Sequence, residues 1–231
     1  MRMENSAFYG CCACIGAAGI GVLNKTAVMK AMGNICMNFY LSGEITLLSP
    51  AGRPMTVCVE GDYPYGNEVK ITLKLSKPEY FDFTFRIPEW SRTSFIDGVY
   101  KIPWSVGSGY RTVSRKWRNG DAVVLSFDMN TYVIRPAEGA PGEDKYIALR
   151  RGPIVLASDA RLGYAPTEPV NFDIAEDGSV NATLCDAPEI ADSKLCIGIE
   201  CGDEIRRFVD YASAGKTYDE ASAMAAWLCT K

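Results

Sequence analysis

The sequence predicts a mainly β protein, because short runs of alternating apolar and polar residues recur along much of its 231 residues. The clearest alternation starts at Val69 and, after Lys77-Pro78-Glu79, resumes at Phe81. A strand with this period has one buried and one solvated face, which is typical of antiparallel sheets. We therefore predict a β-hairpin at residues 69–90 and further short strands around it, as in a β-sandwich.

Composition and charge limit the classes of function. The chain is 48% hydrophobic, which is enough for a sizeable core, and its net charge is −4 with basic and acidic residues well mixed. Because no basic field exists to attract nucleic acid or anionic lipid, we expect neither nucleic acid nor membrane as a partner. The absence of histidine excludes Ser-His-Asp and Cys-His catalysis and imidazole metal ligands. Any catalytic chemistry must therefore use carboxylates, thiols, lysine or tyrosine.

The nine cysteines form an odd and unevenly spaced set. A chain of this size needs no disulfides for stability, so this set favours reduced thiols and a cytoplasmic location. Cys196 and Cys201 occupy apolar positions, where cysteine behaves as a small hydrophobe. The one dense cluster is Cys11-Cys12-Ala13-Cys14. Its spacing leaves two interpretations open: a metal or nucleophile site, or small buried residues at the start of a helix.

The first third of the chain is predicted to change from helix to strands. Residues 5–24 lack charge, but Glu4 and the many glycines and cysteines argue against a signal peptide or a membrane span. We predict a helix at residues 13–31, with Gly33-Asn34 as its stop signal. Residues 35–48 read as extended and residues 55–60 as a strand.

The rest of the chain alternates strands with turn signals. Turns are predicted at Asp97-Gly98, at residues 107–109 and at Asn119-Gly120, with strands from Tyr110 and around residues 123–127. We place a domain boundary at residues 137–144, which resemble a linker. The segments that follow it are two short apolar runs at 146–158, a polar connection at 161–182, a strand pair at 195–201 and 206–211, and a helix-like periodicity at 218–228.

Paired carboxylates are the other catalytic possibility, because a sugar hydrolase needs one acid and one nucleophile or base. The 28 acidic residues do not indicate which pair that would be. Asp62 beside Tyr63 and Tyr65 has the aromatic-plus-carboxylate character of sugar sites. The same segment, Asp-Tyr-Pro-Tyr-Gly, is also ordinary turn chemistry before a strand, and we favour the turn.

Several motifs, taken in order, resemble one family. They are Cys11-Cys12, Asn38-Phe39-Tyr40 with Gly43, Gly61-Asp62-Tyr63-Pro64-Tyr65-Gly66, Arg86-Ile87-Pro88-Glu89-Trp90, Gly109-Tyr110, Trp117 with Gly120-Asp121, and Ala148-Leu149-Arg150-Arg151-Gly152-Pro153. This ordered set resembles the bacterial β-L-arabinofuranosidase-type glycoside hydrolases, over roughly residues 8–157 and more weakly to the end of the chain.

The resemblance implies an (α/α)6 barrel that carries the active site, followed by two β-sandwich domains. Residues 1–37 would then be a remnant of the helical barrel, residues 38–136 a β-sandwich domain and residues 137–231 a second β-rich domain. The family ends in a strand, so the resemblance also favours an extended segment at residues 223–229 over a terminal helix.

The resemblance further implies a zinc-dependent, retaining hydrolysis of a carbohydrate substrate. Cys11 matches the family's nucleophile and zinc ligand, and Cys12 matches a second zinc ligand. Zinc coordination would deprotonate the thiol that attacks the anomeric carbon. Ala13-Cys14-Ile15 departs from the family's usual Pro-Pro-Asn. The remaining zinc ligands and the acid/base glutamate lie upstream in the family, so we expect this chain alone to be inactive.

Two functional hypotheses follow from these observations. The first is the C-terminal, mostly β part of an arabinofuranosidase-like glycoside hydrolase, and the alternative is a non-catalytic β-sandwich module for carbohydrate binding or domain support. Under the first hypothesis, apolar residues within 7–37 evolved to meet barrel helices. We therefore expect this segment to self-associate or to capture an upstream fragment.

Overall fold

The computed structural model describes residues 10–31, 33–100, 104–217 and 220–230, and for residues 10–13 and 31 the backbone only. Within them the chain is mainly β, as the sequence predicts. The one α-helix of this part, α1, spans Gly10–Thr26, and two 3-10 turns span Ala160–Leu162 and Glu220–Ser222. No helix of the described residues has the length and hydropathy needed to span a bilayer.

The chain divides into two compact units. Unit 1 comprises the residues up to Tyr63 together with Asn67–Phe127, and unit 2 comprises Pro64–Gly66 and the residues from Asp128 onward. The strands of unit 1 are β1 Val28–Ala31, β2 Asn34–Met37, β3 Gly43–Leu48, β4 Pro54–Glu60, β5 Glu68–Leu75, β6 Glu79–Ile87, β7 Ser94–Asp97, β8 Trp104–Val106, β9 Gly109–Trp117 and β10 Ala122–Phe127. Those of unit 2 are β11 Thr131–Ile134, β12 Tyr146–Arg151, β13 Ile154–Asp159, β14 Ser179–Val180, β15 Ala182–Leu184, β16 Cys196–Cys201, β17 Glu204–Asp210, β18 Met224–Ala225 and β19 Leu228–Cys229.

Unit 1 contains two sheets, and the predicted hairpin at residues 69–90 is wrong. Strand β5 lies between β4 and β10 in a six-stranded sheet, whereas β6 lies between β2 and β9 in a four-stranded sheet. The alternation correctly identified one buried face on each strand. It carried no information on pairing, because a strand that crosses to another sheet shows the same period as a hairpin strand. The β2–β6 pair is parallel, in contrast to the otherwise antiparallel pairing of unit 1.

The predicted helix at residues 13–31 is wrong at its C-terminal end. Helix α1 ends at Thr26, and residues 28–31 form β1, which pairs with β2. In this segment Val28 is buried and Met29 is exposed, and both pair with residues of β2. A gain in sheet pairing for this segment thus overrides its local helical preference.

The core of unit 1 is aromatic. Trp117 is fully buried on β9 and donates its indole N–H to the carbonyl of Phe81 at 3.1 Å. Its ring lies 5.8 Å from that of Phe83 and 5.9 Å from that of Phe81, in the tilted and edge-on geometries that aromatic pairs prefer. These side chains project from one face of the β6–β9 pair, which the alternation had assigned to the interior.

Unit 2 is built on one long, mostly antiparallel sheet in the order β14-β11-β12-β13-β17-β16-β15, with β19 beside β12 and β18 beside β13. Both of its faces are covered. Ile197 and Phe208 belong to one apolar cluster, and their chain neighbours Cys196 and Val209 belong to another. The turns at residues 137–144 connect β11 and β12, which pair directly with each other, and thus lie inside unit 2. The end of the chain is extended, as the resemblance implied.

Candidate functional site

The cysteine cluster lies in the first turns of α1. The backbone of Cys11 and Cys12 is helical, but their side chains lie outside the described part of the structure. Cys14, one turn further on, is exposed. The roles assigned to Cys11 and Cys12 therefore remain predictions.

The C-terminal end of α1 is held by hydrogen bonds from Asn38, the residue that follows β2. The side-chain amide of Asn38 donates to the carbonyl of Thr26 at 2.8 Å, and its backbone N–H donates to the carbonyl of Ala27 at 2.8 Å. Both carbonyls belong to the helix exit, where backbone acceptors lose their intrahelical partners. Ala27 itself is fully buried. Asn38 thus ties the C-terminal end of α1 to the end of β2.

Asn38 is in turn oriented by its neighbours. The hydroxyl of Tyr110 donates to the Oδ1 atom of Asn38 at 2.8 Å, and the Cys36 thiol approaches the same oxygen at 3.4 Å. Because Oδ1 accepts, the Nδ2 group is directed at the helix carbonyl. We name Asn38, Tyr110 and the carbonyls of Thr26 and Ala27 the helix anchor.

An aromatic cluster is formed by Tyr40, Tyr63, Trp90 and Phe127. Its first member, Tyr40, is two residues after Asn38 of the helix anchor. Phe127 is its centre, with ring centroids 5.4 Å from Tyr40, 5.7 Å from Tyr63 and 5.8 Å from Trp90. The hydroxyl of Tyr40 donates to the carbonyl of Arg86 at 2.5 Å. Burial raises the pKa of Tyr40 and of Tyr63 because it penalises the phenolate, so both hydroxyls stay neutral donors.

Five residues from the motifs that carry the family resemblance thus come together in unit 1. Asn38, Tyr40, Tyr63, Trp90 and Tyr110 are brought together in the helix anchor and the aromatic cluster. They position α1 and fill space, and Tyr63 lies in a turn, as predicted for residues 62–66. The sequence did not single out Phe127 as the centre of the cluster, although its place in the alternation of β10 marked it as buried.

The described residues do not by themselves form a zinc site. No three Cys, Asp or Glu side chains come together within this part of the chain, and the sequence has no histidine. Structural and catalytic zinc need three or four such ligands.

Three carboxylates are buried in the part of the chain that the structure describes, and each of them locks a loop. Glu79 accepts from the Ser49 hydroxyl at 2.8 Å, Asp210 from the Ser213 hydroxyl at 2.8 Å and Asp159 from the Arg161 guanidinium at 2.7 Å. Burial alone would raise the pKa of Asp159, but hydrogen bonds from Arg161 and the Gly215 N–H outweigh it and lower the pKa below its usual value. A general acid needs a raised pKa, so Asp159 is unsuited to that role.

Comparisons with known proteins match most of unit 1 to one family model. Residues 34–129 match the model described as the β-L-arabinofuranosidase, GH127 middle domain. The resemblance inferred from the motifs is therefore confirmed, and the matched residues contain the aromatic cluster and most of the helix anchor.

Solved structures share the fold over almost the whole chain. A GH127 β-L-arabinofuranosidase from Geobacillus stearothermophilus T6 has a TM-score of 0.74 at 19% identity, over 96% of this chain and 38% of that one. A GH127 β-arabinofuranosidase gives 0.67 at 17% identity, over 89% of this chain and 36% of that one. A further structure described as a glycoside hydrolase has a TM-score of 0.66 at 17% identity, over 99% of this chain and 41% of that one. The chain thus spans about two fifths of the structures that it matches, and no curated protein matches its sequence.

Replacing Asn38 by alanine should destabilise the helix anchor. We expect a loss of about 1–3 kcal/mol in the free energy of unfolding, because the carbonyl of Thr26 and the hydroxyl of Tyr110 both lose a partner. Hydrogen exchange should show faster exchange in the last turn of α1.

The matched control is Asn38→Asp, which keeps an oxygen for Tyr110 but removes the donor to the helix. This variant should speed exchange in α1 while leaving β9 protected. Equal exchange in wild type and Asn38→Ala would show that the hydrogen bond does not hold the helix.

Proposed function

We propose that this chain is the C-terminal, β-rich part of a GH127-type glycoside hydrolase that cleaves β-L-arabinofuranosides. In this proposal the middle domain holds α1 as the last helix of a catalytic helical barrel. The remaining barrel helices come from polypeptide outside the 231 residues. The odd number of cysteines, seven of which are free thiols among the described residues, favours a reducing, cytoplasmic setting for the assembled enzyme.

The exposure of α1 is the observation that carries the proposal. Ile15, Ile20 and Val22 are 73%, 70% and 54% exposed, and no charged residue occurs from Cys14 to Asn24. Ile15 and Val22 lie on one side of the helix and Ile20 on another, so the helix is apolar around much of its circumference. Such a helix is normally buried on most of its sides. Anchored at one end and uncovered along its length, α1 is suited to pack against other helices.

Cys11 would then be the nucleophile of a retaining hydrolysis. Its sulfur forms a bond to the anomeric carbon as the leaving-group oxygen departs, and water later releases the sugar from the sulfur. The proton for the leaving group comes from an acid/base carboxylate outside the described residues. Zinc, as the resemblance implies it, would be held by Cys11, Cys12 and donors supplied by the rest of the barrel, and would lower the pKa of the thiol.

The experiment combines this chain with the polypeptide encoded directly upstream of it in the genome. The 231-residue chain alone should not hydrolyse 4-nitrophenyl β-L-arabinofuranoside, because a nucleophile without a positioned proton donor does not complete the reaction. Addition of the upstream polypeptide should give a complex on a sizing column with light scattering, and turnover. Turnover by the chain alone, or an upstream sequence without barrel helices, would contradict the proposal.

Association should depend on the apolar surface of α1. An Ile20→Glu variant should prevent formation of the complex and also reduce any self-association of the chain alone, because a charge would have to be buried at the interface. Leu184→Glu is a matched control, since Leu184 on β15 of unit 2 is 67% exposed, close to the 70% of Ile20. Equal association of both variants would show that α1 is not the contact surface.

A further inference from the structure

A cavity of about 480 Å³ lies in unit 2. Its lining residues come from β11, β12, β14, the start of β15 and the segment before β14, and the polar ones are Asn130, Thr131, Arg151, Asp173, Ser179 and Asn181. The volume is within the range of about 300–1,000 Å³ that small-molecule sites occupy. All of these residues belong to a single compact unit.

Two polar groups at this cavity have no partner. The hydroxyl of Thr131, a residue only 1% exposed, and the Nε atom of half-buried Arg151 form no hydrogen bond among the described residues. Buried donors without partners are uncommon in native proteins, and each costs free energy unless something satisfies it. Thr131 and Arg151 are directly opposite each other on β11 and β12, so their side chains share one face of the sheet.

The position of this pair explains why the cavity exists. Val133 and Leu149, the next cross-strand pair on the same face, pack into the apolar core of unit 2, as does Val180, which is opposite Thr131 on β14. Thr131 and Arg151 therefore stand where the core ends and the cavity begins. The rim is ordered by a turn at residues 175–179. The N–H of Ala175 donates to the carbonyl of Ser179 at 2.9 Å, and the N–H of Gly178 donates to the carbonyl of Ala175 at 2.8 Å.

The charges at the cavity disfavour a dianion. Among the described lining residues Arg151 is the only cation, and Asp173 adds one carboxylate. Burial lowers the pKa of Arg151 and the nearby Asp128 carboxylate raises it, but the guanidinium remains charged at neutral pH. One guanidinium cannot neutralise a phosphate dianion beside these carboxylates, whereas its planar fork fits a carboxylate. Asn181 and Asp173 could bond to hydroxyl groups.

We propose that this cavity binds a small carboxylate, of the size and hydroxyl content of a sugar acid, through Arg151 and Thr131. The carboxylate accepts from the Nε–H and one Nη–H of Arg151 and from the Thr131 hydroxyl. Arg151 belongs to the motif at residues 148–153, which neither the helix anchor nor the aromatic cluster uses. The site does not depend on the proposed hydrolase activity.

Glucuronate is the probe, titrated into the 231-residue chain and followed by calorimetry and by NMR. We expect saturable binding at millimolar or lower concentration with a shift of the Arg151 Nε resonance. Glucuronamide, the neutral match, should bind at least roughly 10-fold more weakly, because hydrogen bonds between charged groups are the strong ones. No binding of glucuronate, equal binding of glucuronamide, or tighter binding of inorganic phosphate would overturn the proposal.

Variants locate the site. Arg151→Gln should weaken glucuronate binding roughly 10- to 100-fold and Thr131→Val roughly 2- to 10-fold. Arg150→Gln is the matched control, because Arg150 is the next residue of the same strand, also half-buried with an unpartnered Nε atom, and projects to the opposite face. It should bind within about twofold of wild type. If Arg151→Gln does not fold, the binding site is tested instead by the near-isosteric variant Thr131→Val and by the shift of the Arg151 Nε resonance in the wild type. Losses in Arg150→Gln equal to those in Thr131→Val would overturn the assignment.

Discussion

Turnover by the complex of this chain with the upstream polypeptide is expected to fall at least about 1,000-fold when Cys11 is replaced by serine. The reason is chemical, since a serine hydroxyl has a far higher pKa than a thiol and forms an alkoxide poorly without an adjacent base. The chain has no histidine to act as that base. The measurement is the rate with 4-nitrophenyl β-L-arabinofuranoside at saturating upstream polypeptide.

Cys14→Ser is the matched control for Cys11→Ser. Cys14 lies on the same helix and is exposed, and the resemblance gives it no role. This variant should keep turnover within a few-fold of wild type. If Cys14→Ser lost as much activity as Cys11→Ser, or if Cys11→Ser remained active, the assignment of the nucleophile would be wrong.

Stability separates a catalytic role of the cysteines from a structural one. The double variant Cys11→Ala, Cys12→Ala should unfold at the same urea concentration as the wild type, because the buried core of unit 1 lies in its sheets. A loss well beyond the roughly 0.5–3 kcal/mol of a single ordinary substitution would indicate that the cluster stabilises the fold.

Strand positions could be predicted from the sequence, whereas strand partners could not. The residues of β4, β9, β10, β16 and β17 were identified within one or two positions, because alternation and glycine turns are local signals. Gly98, for example, has a φ of 80°, and a side chain there would meet the carbonyl oxygen of Ala122. Which sheet β6 joins depends on contacts with β2 and β9, which no local pattern contains.

The candidate site could be predicted only in part for a similar reason. Motif order alone led to the middle-domain family, and it identified Asn38 and Tyr110 as important residues. Their joint action on the helix exit could not be predicted, because 72 positions separate them in the chain and their hydrogen bond exists only in the fold. The Thr131–Arg151 pair is invisible for the same reason, since only the strand register places the two side chains together.

Replacing Asp159 by alanine is expected to cost unit 2 about 3–5 kcal/mol of stability, because the variant removes one member of a buried ion pair. The Asp159 side chain is 0% exposed and that of Arg161 19%, and the carboxylate also accepts from the backbone N–H groups of Arg161 and Gly215 at 3.0 and 2.9 Å. Without it the largely buried guanidinium of Arg161 loses its carboxylate partner and keeps the Ser213 carbonyl, and two backbone N–H groups lose their acceptor. Glu189→Ala, which breaks the more exposed pair with Arg207, should cost much less, because solvent screens that pair. Hydrogen exchange of β13 and β17 in denaturant would measure both changes.

The stability that Asp159 provides should also depend on pH in a definite direction. Because the pKa of Asp159 is lowered from its ordinary 3.8 in the folded state, the unfolded chain takes up this proton first as the pH falls. The stabilisation is therefore fully present above the unfolded pKa and is lost as the pH drops through the lower, folded value. Asp159→Asn does not titrate, so the difference in unfolding free energy between wild type and this variant should be constant near pH 7 and shrink towards pH 3. A difference that stays constant down to pH 3, or grows, would show that the ion pair does not stabilise unit 2.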